Sequence, residues 1–148
     1  MDKWLTRWQE LKGKHPKALL YTISSLLPMT IMLVVWFFMG SYPFGNKSLM
    51  AVDFGQQYIS FFGLLKNAVL TGDLSSLTYS FTKSLGGDMI GVLGYYLMSP
   101  FNIFYIIIPF KHYGLAVFLT IWLRYGAIGL SFSHFLIKRY KGAESRMW

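Results

Sequence analysis

The sequence predicts an all-α membrane protein, a helical bundle of two or three transmembrane segments with an external amphipathic interfacial helix. Apolar residues make up 54% of its 148 residues and charged residues only 14%, whereas roughly 25% is usual for a soluble domain. Three apolar runs are also long enough to cross a hydrocarbon core, which takes about 20 helical residues. The excess of apolar surface therefore indicates that the chain is surrounded by lipid and not by water alone.

Two of the runs are typical of transmembrane helices. Residues 18–40 carry no charged side chain, and Pro28 predicts a kink that neighbouring helices can absorb. Residues 114–137 contain one arginine and one histidine. We interpret His134, near the end of this run, as a packed polar residue because no second histidine stands at metal-ligand spacing.

The run between them, residues 89–110, is uncharged but is interrupted by Ser99 and Pro100. Since proline kinks or ends a helix, this run is predicted to be a broken or re-entrant membrane segment. Its length favours three crossings, whereas basic clusters at both ends of the chain favour two, because positive charge collects on the cytoplasmic side. Both topologies stay open, with a slight preference for three and with the amino terminus inside.

The basic residues predict a lipid partner and not nucleic acid. There are 14 Lys and Arg against six Asp and Glu, which gives a net charge of +8. Many of the cations flank the apolar runs, in a basic amphipathic segment at residues 1–17 and a basic tail at residues 138–148, where they favour anionic headgroups. The absence of cysteine excludes disulfides, thiol catalysis and cysteine-ligated metal.

Residues 41–88 form the predicted external loop between the first two runs. Within it, apolar side chains recur at three and four residues while polar ones fall between them, a pattern typical of an amphipathic helix. We expect this helix, at about residues 54–70, to lie on the outer membrane surface. The apolar positions are Phe54, Tyr58, Phe61, Phe62, Leu65 and Val69.

Two aspartates in the external loop are candidate catalytic residues. Asp53 precedes the amphipathic helix, where a carboxylate commonly accepts hydrogen bonds as an N-cap. The functional alternative is a general base or a ligand of a divalent cation at the membrane surface. Asp88 follows two glycines and has the same two interpretations, since this sequence also forms an ordinary turn.

Arg124 is the candidate for binding a donor phosphate. It lies near the middle of the third run, where a charge is costly and usually faces a partner, a cavity or the interface. A guanidinium is suited to bidentate phosphate recognition. Alternatively the span starts later and Arg124 stands among headgroups; both interpretations place it near lipid phosphate.

Three separate motifs, taken in order and spacing, resemble the amino-terminal region of the YfhO family, bacterial multi-span membrane proteins related to the GT-C glycosyltransferases. The resemblance covers nearly all of the chain from the first span onward. Family members are several times longer, so the chain looks like their first few membrane helices and is expected to be inactive alone. The motifs are Val52-Asp53-Phe54-Gly55-Gln56-Gln57-Tyr58, Ser84-Leu85-Gly86-Gly87-Asp88-Met89 and Tyr95-Tyr96-Leu97-Met98-Ser99-Pro100-Phe101-Asn102.

The resemblance implies a multi-pass protein of the bacterial cell membrane. It would transfer a sugar from a polyprenyl-phosphate carrier to a cell-envelope polymer, such as teichoic acid, on the outer face. In GT-C enzymes an acidic residue of the first external loop activates the acceptor or holds a divalent cation. Asp53 occupies that place, and Asp88 is a second candidate.

Two other functions stay open at this point. One is a small non-catalytic accessory protein that helps to flip or assemble lipid-linked sugars. The other is part of a transporter, since broken helices like the one at Ser99 and Pro100 form substrate sites near the midplane.

Overall fold

The computed structural model describes residues 16–81 and 86–140. Most of the predicted basic segment at residues 1–17, the first two residues of the second motif and most of the basic tail lie outside the described residues. Within them the chain is mostly helical, which confirms the predicted all-α membrane class.

The described residues form five α-helices, a set of single turns and one small sheet. The α-helices are α1 (Pro16–Met39), α2 (Ile59–Thr71), α3 (Ile90–Val92), α4 (Ile103–Ile107) and α5 (Tyr113–Arg139). Single π-helical turns lie at Phe54–Tyr58 and Leu93–Leu97, and 3-10 turns at Leu74–Leu77, Pro100–Asn102 and Phe110–His112. β1 (Tyr79–Ser80) and β2 (Gly87–Asp88) pair antiparallel, with Tyr79 opposite Asp88.

Among the residues that the structure describes, two stretches are long and apolar enough to cross a membrane, Lys17–Met39 and Phe110–Arg139. Between them, the helical pieces Ile90–Leu97 and Pro100–Ile107 are bent by 90°, and they count as a third span only if both belong to one crossing. The bend falls at Ser99, whose backbone is extended (φ −86°, ψ 133°), because a following proline disfavours the helical conformation. The choice between two and three crossings therefore stays open.

The chain divides into two compact units, of which the first comprises residues 1–35 and 122–148. Pro28 lies inside α1 and has no N–H to donate to the carbonyl of Ser24, one turn earlier. The backbone of Gly129 packs against that carbonyl so closely that a Cβ at Gly129 would overlap the Ser24 oxygen. In this unit α1 and α5 therefore pack closely next to Pro28. A small residue such as Gly129 allows this close approach of two helix backbones in membranes.

The second unit, residues 36–121, has a continuous apolar core. The Phe62 ring stacks on the Tyr105 ring with centroids 3.9 Å apart and planes 2° apart, and Met89 and Val117 are fully buried beside other core residues. Because α2, α4 and the first part of α5 all contribute, this core fixes the loop of residues 41–88 to the bent pair of helices. The remaining buried hydrophobic residues of the cluster are Leu65, Ala68, Leu77, Val92, Leu97, Tyr113 and Ala116.

The amphipathic helix predicted at about residues 54–70 consists of a π-turn followed by α2. It ends at Gly72, whose φ of 75° is the left-handed conformation that commonly terminates helices. Phe62 and Leu65 on its apolar face are buried in the core, whereas Val69 is 45% exposed. Part of the apolar face thus packs on the protein itself.

Candidate functional site

Asp53 stands directly before the π-turn Phe54–Tyr58, with an exposed side chain. Its backbone is already helical (φ −58°, ψ −31°), and its carboxylate makes no capping hydrogen bond, although an N-cap residue normally has an extended backbone and such a bond. Val52 before it has φ 51°, which is a true outlier for a β-branched residue. The N-cap interpretation therefore does not describe Asp53, and its carboxylate is open to a ligand.

The π-turns Phe54–Tyr58 and Leu93–Leu97 meet through their tyrosines. The ring centroids of Tyr58 and Tyr96 are 4.4 Å apart, and the Asp53 carboxylate lies close enough for its charge to act on the Tyr96 hydroxyl. π-turns are rare and are frequent at functional sites. The fold thus brings the first and third motifs together around Asp53.

Asn102, the last residue of the third motif, holds Tyr96 in place. Its side chain is 1% exposed, and Nδ2 donates to the carbonyls of Tyr96 at 2.8 Å and Leu97 at 3.0 Å. Carbonyls at the end of a helical turn have no partner within it. Asn102 satisfies two of them and so fixes the turn that carries Tyr96.

Asp88 has a different environment. It ends β2, and its Oδ1 accepts a hydrogen bond from the N–H of Ile90 at 3.0 Å, the first residue of α3. The next residue, Met89, is fully buried and its N–H donates to the Thr78 carbonyl. Asp88 therefore helps to start the segment that leads to Tyr96, and its catalytic role stays a prediction.

Arg124 lies half-buried on α5, inside the candidate span Phe110–Arg139, and it interacts with neighbouring groups. It belongs to the first unit, whereas Asp53 and Asp88 belong to the second. Its binding of a donor phosphate stays a prediction.

Comparison with known proteins supports the resemblance of the three motifs. The family described as bacterial membrane protein YfhO matches residues 24–147. The chain belongs to the YfhO family. No curated protein matches it, and no solved structure does, so this YfhO chain is interpreted from its own residues.

The alternative use of Asp53 in this YfhO chain, as a metal ligand, concerns its neighbours among the residues that the structure describes. None of them form a group of three or more His, Cys, Asp or Glu side chains that could hold a metal. Divalent cations such as Mg²⁺ and Ca²⁺ take several oxygen ligands. Such ligands include backbone carbonyls and water as well as carboxylates, so Asp53 as a metal ligand stays a prediction.

Lys66 is a residue that the sequence reasoning missed. It is 8% exposed, its Nζ donates to the Ile108 carbonyl at 2.6 Å, and it lies 5.2 Å from the centroid of the Phe110 ring. The sequence feature that predicts its burial is its position four residues after Phe62, which places Lys66 on the buried side of α2. A lysine there must find a partner, and the end of α4 provides one.

Proposed function

We propose that this YfhO-family chain is the amino-terminal part of a membrane glycosyltransferase. The enzyme would transfer a sugar from a polyprenyl-phosphate donor to a cell-envelope polymer such as teichoic acid. The observation that supports it is the Asp53 carboxylate, which is exposed and makes no capping hydrogen bond to the turn that it precedes. A carboxylate that stabilises its own helix needs no further role, whereas this one is left to act on a ligand.

Asp53 acts as the general base in this proposal. A hydroxyl of the acceptor polymer gives its proton to the Asp53 carboxylate while its oxygen forms a bond to the anomeric carbon of the donor sugar. The bond between that carbon and the phosphate oxygen breaks, and the electron pair leaves with the polyprenyl phosphate. Tyr58 and Tyr96 pack on each other with ring centroids 4.4 Å apart, which holds the turn that follows Asp53 for this step.

The donor is held by its lipid and by its phosphate. The apolar helices place the polyprenyl chain in the bilayer, and Arg124 is the proposed contact for the phosphate, because a guanidinium is suited to bidentate phosphate recognition.

Asp53→Asn in the full-length protein tests the proposal. The amide keeps the shape of the side chain and cannot accept the proton, so we expect cell-envelope glycosylation to fall by about 100-fold or more at normal membrane abundance. Gln57→Asn, an amide change in the same π-turn, is the matched control and should keep activity within about twofold.

The same assay on Asp88→Asn separates the two aspartates. Asparagine can still accept the hydrogen bond from Ile90, so this variant should stay active if Asp88 only starts α3. Loss of glycosylation in Asp88→Asn but not in Asp53→Asn would transfer the role of base to Asp88. Full activity in both variants would favour the non-catalytic accessory protein.

A further inference from the structure

A groove of about 650 Å³ runs along the polar side of α2 and faces the 3-10 turn Leu74–Leu77 and β1. This volume lies within the roughly 300–1,000 Å³ that small-molecule sites occupy. The groove belongs entirely to the second unit and includes none of the three predicted site residues, Asp53, Asp88 and Arg124. Its polar lining consists of Ser60, Asn67, Thr71, Asp73, Ser76 and Ser80.

Two polar side chains of α2 in the groove have hydrogen-bonding capacity to spare. Ser60 and Asn67 are seven residues apart, two helical turns, and so project from the same face. Both are exposed, and within the described part of the chain neither side chain is held by a hydrogen bond. A hydroxyl and an amide together offer donors and acceptors, which suits a ligand with several hydroxyl groups.

The charge in the groove selects against phosphate. Asp73 is the one ionisable residue among the described residues that line it, and its Oδ1 accepts a hydrogen bond from the N–H of Ser75 at 3.2 Å. Among the described residues that line the groove there is neither lysine nor arginine, so the acidic Asp73 would repel an anionic ligand there. The ligand is therefore expected to be uncharged.

An aromatic ring supplies an apolar surface at one side of the groove. Phe110 is 53% exposed, and its ring packs on Gly63 so closely that a Cβ there would lie 3.2 Å from Cε1. Lys66 lies 5.2 Å from the ring centroid and helps to hold the ring. Fixed rings beside polar groups bind ligands that have an apolar face and a polar edge.

From these features we propose that the groove binds the ring of an uncharged sugar. The C–H face of a pyranose would lie on Phe110 while its hydroxyls bond to Ser60 and Asn67. Ser60 in the groove follows Asp53 by seven residues, about 10 Å along a helix, so the sugar bound there belongs to a glycan next to the reacting unit. This inference rests on the proposed function for the identity of that glycan, but not for the binding itself.

Saturation-transfer NMR with the purified full-length protein in nanodiscs tests the inference. The probes are neutral methyl glycosides of glucose, galactose and N-acetylglucosamine, with glucose 6-phosphate as the charged comparison. At least one neutral glycoside should bind and glucose 6-phosphate should not. Absence of transfer to every neutral glycoside, or equal binding of the phosphate, would overturn the proposal.

Asn67→Leu should weaken glycoside binding about tenfold, near the upper limit for one lost hydrogen bond. Asn46→Leu makes the same change at another exposed asparagine and should leave it unaltered. Equal binding in Asn67→Leu and wild type would place the glycoside elsewhere. Competition by the polyprenyl-phosphate sugar would assign the groove to the donor, and competition by neutral acceptor fragments to the acceptor.

The two proposals can fail separately. Asp53→Asn should abolish transfer and keep glycoside binding, because it lies outside the groove lining. Binding that depends on Asn67 in a protein with no transferase activity would reject the proposed function and keep the sugar site. Transfer without any glycoside binding would reject the sugar site alone.

Discussion

Lys66→Met removes the only buried charge of α2 and keeps a side chain of similar length. In the structure Nζ donates to the Ile108 carbonyl at 2.6 Å and lies over the rings of Phe110 and Tyr113, at 5.2 and 5.8 Å from their centroids. Ile108 follows the last residue of α4 with an extended backbone, so its carbonyl has no helical partner. Methionine would pack in the same space but could not donate to that oxygen.

The expected change in the free energy of unfolding depends on which of the lost interactions are offset by others. Burying an ammonium is expensive, and its attraction to rings and carbonyl roughly repays that cost, so removing the charge alone changes little. The orphaned Ile108 carbonyl has no such compensation, and leaving a buried acceptor without a donor costs about 1–3 kcal/mol. We therefore expect Lys66→Met to lower the free energy of unfolding by about 2 kcal/mol.

The measurement is denaturant unfolding in detergent micelles, followed by tryptophan fluorescence. Lys47→Met replaces an exposed lysine of the same unit and should change the unfolding free energy by less than about 0.5 kcal/mol. A double-mutant cycle of Lys66→Met with Phe110→Leu should give a coupling energy of about 0.5–2 kcal/mol. Equal stability of Lys66→Met and wild type would refute the assignment of Lys66 as the donor to Ile108.

Two further predictions concern close packing in the two units. Gly129→Ala places a methyl group on the Ser24 carbonyl and should destabilise the protein in micelles by about 1–3 kcal/mol. The control Gly91→Ala has open space around the new methyl group and should not destabilise it. Equal melting temperatures of Gly129→Ala and wild type would disprove the contact. Asn102→Leu removes two hydrogen bonds and should lower the free energy of unfolding by about 2–3 kcal/mol. It should also weaken glycosyl transfer. Unaltered stability would show that the Tyr96 and Leu97 carbonyls have other donors.

Features set by local chemistry could be predicted from the sequence. The long apolar runs predicted α1 and α5 because only helices can satisfy the backbone in hydrocarbon. The interruption at Ser99 and Pro100 predicted the bend in the second run, since proline constrains both itself and the residue before it. The spacing of apolar residues predicted a helix that includes α2.

Features that depend on distant partners could not be predicted in this way. Lys66 is stabilised by the Ile108 carbonyl, 42 residues away in the chain, and no local pattern reveals that contact. The approach of Gly129 to Ser24 likewise needs two helices in one register. The sequence identified Asp53 by its motif, but whether its carboxylate capped the helix depended on backbone angles that composition does not set.

The departures from local preference in the second unit are concentrated around Asp53. Val52 adopts the left-handed conformation at a cost of roughly 1–2 kcal/mol, and the two π-turns give up regular helical hydrogen bonding. Strain of this kind persists where the surrounding structure enforces it, and it is found at sites of function. Here the buried Asn102 enforces the turn that carries Tyr96, and Tyr96 packs on Tyr58 in the turn that follows Asp53. A segment that served only to connect two spans would gain stability by relaxing these turns, which is why the exposed, uncapped carboxylate of Asp53 is the group proposed to act on a ligand.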